Sequence, residues 1–145
     1  MILSRMRWWH IDAILPIEEE LFGEEQWTAA MFWNELGSGY HYLVALDGDE
    51  VLGYAGLAAN APDETWIQNI GVRKSAQRRG IGRALLEALL AEAARRGADK
   101  VLLEVAVDNA PAQKLYAAYG FEGIGVRRGY YQPSNTDALV MLRED

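Results

Sequence analysis

Two features of this 145-residue chain have residue types and spacing suited to chemistry: a glycine-arginine run and a lone carboxylate in an apolar stretch. The run is Gln77-Arg78-Arg79-Gly80-Ile81-Gly82, placed between an apolar strand-like segment and an Ala/Leu-rich segment with helical periodicity. At such a junction the first helical amides point outward with partial positive charge, and glycines let a ligand approach the backbone. Arg78, Arg79 and Arg83 add full charges, so the run has the makings of an anion site. A plain strand-to-helix connection with a solvated basic face fits the same spacing. The carboxylate is Glu104, the one charge inside the apolar stretch 101–107. A buried carboxylate must find compensation or hold its proton more tightly. The second outcome would suit a general base; an edge-facing position or a structural salt bridge is the alternative.

Other chemistries lack their residues. A nucleotide P-loop needs a lysine and a hydroxyl after its second glycine, and no such run exists. A dinucleotide fingerprint needs a third glycine where Leu85 stands. Without cysteine there is neither a disulfide framework nor a thiolate metal site. His10 and His41 have no metal-ligand spacing, so no metal is expected. Gly37-Ser38-Gly39 lacks the setting of a hydrolase nucleophile elbow. A net charge of -7 argues against nucleic-acid binding and suits a basic protein partner. No stretch reaches the apolar length of a membrane span, and residues 1–7 carry no leader pattern. A soluble, unprocessed, cytoplasmic protein is expected.

The elements that must position these residues read as follows. A short strand spans 2–6, and an amphipathic helix spans 12–22 with Ile14, Leu15, Ile17, Leu21 and Phe22 inward. Glu18, Glu19 and Glu20 lie on its outer side, and Pro16 is tolerated early in the helix if Asp12 is at or just before the cap. Thr28 caps a helix to Leu36 that presents Met31, Phe32 and Leu36, stopped by Gly37-Ser38-Gly39. Strands 42–46 and 51–59 form a hairpin through Asp47-Gly48-Asp49-Glu50. A turn at 60–64 containing Pro62 leads to strand 66–72. Helix 80–96 turns Leu85, Leu86, Ala88, Leu89 and Ala93 inward and Arg83, Glu87, Glu92 and Arg95 outward, with Gly97 past its end. Strand 101–107 reads as buried between layers. Asp108 or Asn109 then caps a helix ended by Gly120-Phe121. Strands near 123–127 and 138–142, separated by 128–135, complete one α/β or α+β domain with a mostly antiparallel start.

With Gln77, Gly80 and Gly82 at the fixed positions of a Gln/Arg-x-x-Gly-x-Gly/Ala helix start, the chain resembles the Gcn5-related N-acetyltransferases (GNAT). Within that superfamily it is most similar to the RimI-type ribosomal-protein-alanine N-acetyltransferases. The runs that carry the likeness are Asn69-Ile70-Gly71-Val72, Leu103-Glu104-Val105, Asn109, Leu115-Tyr116-Ala117-Ala118-Tyr119-Gly120-Phe121 and Arg128-Gly129-Tyr130-Tyr131. The resemblance implies a central mixed, mostly antiparallel sheet of six to seven strands, flanked by about four helices, with strands 4 and 5 splayed. It implies acetyl-coenzyme A as co-substrate. Its pyrophosphate would lie on Gln77, Arg78, Arg79, Gly80, Ile81, Gly82 and Arg83, and its pantetheine arm and thioester along Ile70, Gly71 and Val72. Asn109 would hold the cofactor through its amide, a plain helix cap being the alternative.

Glu104 would be the general base and Tyr116 the general acid, although a tyrosine one turn from Tyr119 also suits core packing. Tyr130 and Tyr131 would line the acceptor entrance, with strand-end packing as the alternative. Trp27, with Glu24 and Glu25, would form the opposite wall unless that acidic run is only a solvated loop. The implied reaction is direct transfer, in a ternary complex, to the N-terminal α-amine of a protein, in particular the N-terminal alanine of a basic small-subunit ribosomal protein. A small-molecule amine acetyltransferase and a non-catalytic acetyl-coenzyme A sensor are the competing readings; the presence of both an acid and a base argues against the sensor.

Overall fold

A computed structural model describes residues 1–61 and 63–144, so the expectation at Pro62 lies outside the described residues. The elements run β1 (Ile2–Arg5), α1 (Ile11–Phe22), α2 (Ala29–Gly37), β2 (His41–Asp47), β3 (Glu50–Ala59), β4 (Thr65–Val72), α3 (Ile81–Arg95), β5 (Lys100–Ala106), α4 (Ala110–Ala118), β6 (Glu122–Tyr131) and β7 (Thr136–Glu144). The strands form one seven-stranded sheet in the order β1-β2-β3-β4-β5-β7-β6. Every neighbouring pair is antiparallel except β4 and β5, which run parallel. This is the mixed sheet with four flanking helices that the resemblance implied.

Local chemistry explains most boundaries. Asp47 pairs with Glu50, so Gly48 and Asp49 make a two-residue hairpin loop with Gly48 at a φ of 61°. The Thr28 hydroxyl accepts from the Met31 amide and starts α2. In α3, Ile81, Leu85, Leu86, Leu89, Leu90 and Ala93 form one buried stripe, and Gly97 follows at a φ of 77°. Two apolar cores lie on the two faces of the sheet. One joins α3 and α4 to Leu57, Leu103, Val105 and Phe121. The other joins α1 and α2 to Tyr42, Val44 and Tyr54. No helix among the described residues is long and apolar enough to cross a membrane.

Several expectations need correction. α1 begins before Asp12 because a one-turn 3₁₀ helix, Trp8–His10, runs straight into it. Met31 is exposed, and Phe32 carries the packing of α2. The strand sandwiched on both faces is β3, whereas β5 is fully buried only at alternate residues. The reason is coverage: α1 packs over β3 and β4, leaving the second face of β5 half-buried. β6 is longer than expected and absorbs 128–131, because bulges at 123–125 and 127–131 let it stay paired with β7. Finally, Glu18 is on the inner side of α1 and fully buried.

The feature that creates a site is the β4–β5 junction. Only Thr65 with Val101 and Trp66 with Leu102 are in register; beyond them the strands diverge. The rest of that β4 edge has no strand partner, and a cleft of about 660 Å³ opens along the gap.

Candidate active site

At one end of the gap stands the glycine loop. Gly80 is the N-terminal cap of α3 in the left-handed region, at a φ of 79°, and no side chain caps the helix. A Cβ at Gly80 would meet nothing within 4 Å, so its backbone faces open space. One at Gly82 would touch Val72 and Leu115 at 3.8 and 3.9 Å, which puts the helix start between the end of β4 and α4. Arg78 itself sits at a φ of 66°. The Gln77 side chain donates to the Val72 carbonyl at 3.0 Å and the Arg79 guanidinium donates to the Ser75 carbonyl at 3.3 Å, tying the loop to the strand it follows. Among the described residues no carboxylate pairs with Arg78, Arg79 or Arg83. Uncapped amides, open space at Gly80 and three uncompensated cations suit a phosphate group. The unpartnered β4 edge beyond Trp66 suits an extended arm with amide groups.

The cleft gathers Ile70, Glu104, Asn109, Tyr116 and Tyr131. Gly71, Val72 and the residues 77–83 are not among the residues that line it. Tyr130 lines only a side pocket of about 100 Å³, shared with Trp27, Trp66 and Glu104. Asn109 is the cap of α4, its Oδ1 accepting from the Ala112 amide at 3.3 Å while its side chain borders the cleft; of the two capping candidates it is Asn109, not Asp108, that does this.

Glu104 has found compensation. Its Oε1 accepts from Arg127 Nη1 at 2.7 Å, and the side chain is 12% exposed. Its Oε2 is buried with no hydrogen-bond partner among the described residues. Register explains the reach of Arg127: it lies opposite Ala138 on β7, and Glu104 lies opposite Val140. Arg127, Ala138, Val140 and Glu104 therefore share one face, and the small Ala138 lets the guanidinium pass over β7. The same guanidinium stacks 4.6 Å from the centre of the Tyr130 ring.

Tyr116 is buried on α4, its ring edge-on to Phe121 at 5.9 Å. Tyr116 lines the cleft, and its hydroxyl makes no hydrogen bond among the described residues. Burial, with Tyr131 nearby, pushes its ionisation upward, so it holds its proton throughout the working range. Tyr131 is pushed up to about 12 by burial and by Tyr130 and Glu104. The tyrosine pair meets edge-on at 5.1 Å.

The opposite wall is built by side chains that reach across the fold. Glu18 Oε1 accepts from the Trp27 amide at 2.7 Å. Its Oε2 accepts from Asn69 Nδ2 at 3.1 Å and from the Tyr54 hydroxyl. Burial pushes the Glu18 carboxyl above the usual carboxylate range, and these three donors pull it partly back. Glu35 on α2 repeats the pattern, accepting from the Tyr42 hydroxyl at 2.7 Å and from Gln68 Nε2 at 3.1 Å. Gln68 is unpaired at a bulge in β4, which turns two consecutive amides, Gln68 and Asn69, toward the helices. Glu25 accepts from the Ser134 amide at 2.9 Å, bridging the loop after α1 to the β6–β7 turn. Trp27 and Glu25 thus line the cleft, and Glu25 is not merely solvated.

The residues missed from the sequence are Glu18, Gln68, Asn69 and Arg127. Glu18 had a signal: it lies seven after Ile11 and four after Ile14, on the apolar stripe itself. Arg127 had one too, since two residues separate it from the tyrosine pair and only one separates Arg128.

Known proteins match this chain in sequence and in fold. The acetyltransferase (GNAT) family model covers residues 4–121. The N-alpha-acetyltransferase RimI of Mycobacterium tuberculosis is 44% identical over 133 residues, 88% of this chain and 82% of that one. The crystal structure of the ribosomal-protein-S18-alanine N-acetyltransferase from Escherichia coli superposes with a TM-score of 0.87 at 29% identity, covering 99% of this chain and 92% of that one. A GNAT superfamily phosphinothricin acetyltransferase from Sinorhizobium meliloti, solved in complex with AcCoA, superposes with a TM-score of 0.79 at 25% identity, covering 99% and 87%.

Proposed function

The chain belongs to the acetyltransferase (GNAT) family and is an N-acetyltransferase, and from that premise we propose that it acetylates the N-terminal α-amine of a protein by direct transfer in a ternary complex. The acceptor in this reading is the N-terminal alanine of a small-subunit ribosomal protein; the Escherichia coli relative is named a ribosomal-protein-S18-alanine N-acetyltransferase. The observation that carries the reading is the convergence, in one cleft at the β4–β5 splay, of an orphaned carboxylate oxygen on Glu104 and an unpartnered phenol on Tyr116.

Acetyl-coenzyme A, when bound, supplies the activated thioester. The uncapped first turn of α3, with Arg78, Arg79 and Arg83, would hold its pyrophosphate. The unpaired β4 edge at Ile70, Gly71 and Val72 would take its amide-bearing arm and polarise the reacting carbonyl. Ile81, Gly82, Gln77 and Asn109 complete that binding set.

An amine enters as an ammonium and must lose a proton before it can attack. Glu104 Oε2 takes that proton, directly or through water, while Arg127 keeps Oε1 occupied and the carboxylate oriented. Tyr116 gives its phenolic proton to the departing sulfur. Tyr131, protonated until about pH 12, offers a hydroxyl to the acceptor backbone, and Tyr130 supports it from the side pocket. Release of free thiol from acetyl-coenzyme A with peptides bearing N-terminal Ala, Ser or Met, against polyamines and amino sugars, tests the reading. Turnover with the peptides is expected; turnover with the small amines alone would overturn it.

A further inference from the structure

Glu18 belongs neither to the cofactor set nor to the acid–base pair, yet among the described residues it is the most completely enclosed ionisable side chain, with 0% exposure. It occupies an apolar stripe of α1, where a leucine would fill the space without desolvating a carboxylate. Stability alone gives no reason for a carboxylate there. Its three donors come from three separate elements: the Trp27 amide before α2, the Tyr54 hydroxyl on β3 and the Asn69 amide on β4. Two of those donors, Trp27 and Asn69, line the cleft that also holds Glu104.

Gly71 completes the linkage. A Cβ there would lie 2.6 Å from Tyr54 Oη, so the tyrosine seats itself beneath β4 where only a glycine leaves room. Asn69 and Gly71 flank Ile70 on the strand expected to carry the donor, while Trp27, packed on Phe32 at 5.3 Å, faces the acceptor. From this geometry we infer that Glu18 is a positioning residue for the acceptor amine: by holding the Trp27 backbone and the Asn69 side chain on one carboxylate, it sets the spacing of the two walls between which the acceptor N-terminus lies. The inference rests on the cleft being an acceptor site as proposed above.

Glu18→Gln keeps the volume and replaces one acceptor oxygen by a donor. The expected result is a rise of about tenfold or more in KM for the acceptor peptide, with kcat within about twofold of wild type. Coenzyme A affinity, measured by calorimetry, stays unchanged. Amide exchange of the segment around Trp27, followed by mass spectrometry without any substrate, speeds up because three donors now compete for a single oxygen. Tyr54→Phe, which deletes one donor and keeps the ring, gives a smaller KM rise, and the double variant costs less than the sum of the two. Unchanged KM and unchanged exchange overturn the inference. Parallel loss of kcat, peptide KM and coenzyme A affinity overturns it as well, because that is general loosening. If the wild type acetylates no peptide, the peptide reading fails on its own, and the KM comparison passes to whichever amine is turned over.

Discussion

The two ends of this cleft, proposed above as donor side and acceptor side, are built by different means. On the donor side, the phosphate-suited surface is backbone: a left-handed glycine, an uncapped helix turn and a strand edge that has lost its neighbour. Its supporting bonds are local, Gln77 to Val72 and Arg79 to Ser75. On the acceptor side, the wall is held by side chains meeting over long separations, 51 residues between Glu18 and Asn69 and 109 between Glu25 and Ser134. A backbone cradle serves any chain that can adopt its conformation, and it recognises a constant group. A side-chain lattice can be retuned one residue at a time, which suits the partner that varies. The contrast teaches that one half is shaped by backbone conformation and the other by tertiary contact.

The largest effects test where the two halves meet. Glu104→Gln and Tyr116→Phe should each lower kcat by about 10²–10⁴-fold while leaving coenzyme A affinity intact. Equal loss of cofactor affinity would move these residues out of the proton-transfer roles. Next, Gly71→Ala should cost about 1–3 kcal/mol in urea unfolding, because its Cβ intrudes on the Tyr54 hydroxyl. It should also raise acceptor KM; a variant as stable as wild type would break the link between strand and wall.

Gly80→Val should weaken coenzyme A by about tenfold or more, since a β-branched residue is strained at positive φ and crowds the open face. Acceptor KM should stay put, and a shift there would blur the division of labour. A smaller effect concerns pH. Because burial raises the Glu18 carboxyl, the folded state holds its proton at pH values where the unfolded chain has released it. Wild-type stability therefore falls as pH rises from the ordinary carboxylate value through the raised one. Glu18→Gln cannot titrate, so its stability relative to wild type should improve as pH rises above the ordinary carboxylate value; a pH-independent difference would refute the burial effect.

The smallest effect lies far from the cleft. Arg95 and Arg96 hold the Glu92 carboxyl down to about 2. Its contribution is present above the ordinary carboxylate value and lost as pH falls through about 2. Glu92→Gln on this exposed helix face should cost only about 0.5 kcal/mol near neutral pH, read by thermal unfolding. A cost above about 1 kcal/mol would show that this surface network matters more than such pairs usually do.

Much of the donor half was legible in advance. Gly80 and Gly82 are read directly from their place between a strand and a helix, and the stripe of α3 follows from its period. Asn109 and Thr28 announce helix starts through the chemistry of their side chains. The acceptor half was less legible. A glutamate triplet reads as solvated and puts Glu18 on the outer side of α1, yet its partners are Tyr54, Asn69 and Trp27. The extent of β6 was underestimated because bulges let a glycine-rich, irregular run remain in a ladder. Arg127 differs from Arg128 locally only in its spacing to the tyrosine pair, and its partner Glu104 is set by register across β7.

By itself, then, the sequence determined what is local: the left-handed glycine turn, the helix caps, the hairpin at Gly48 and the apolar periodicity that orders the layers. These depend on residues within one or two turns of each other, where steric and capping preferences act without the rest of the fold. Only the tertiary structure decided that Glu104 pairs with Arg127 across β7 and leaves one oxygen orphaned. It alone decided that Glu18 faces inward to hold two walls, and that the β4–β5 gap admits both Glu104 and Tyr116. Those outcomes depend on strand register and on a bulge that turns consecutive side chains to one face, quantities set by the packing of segments distant in the chain.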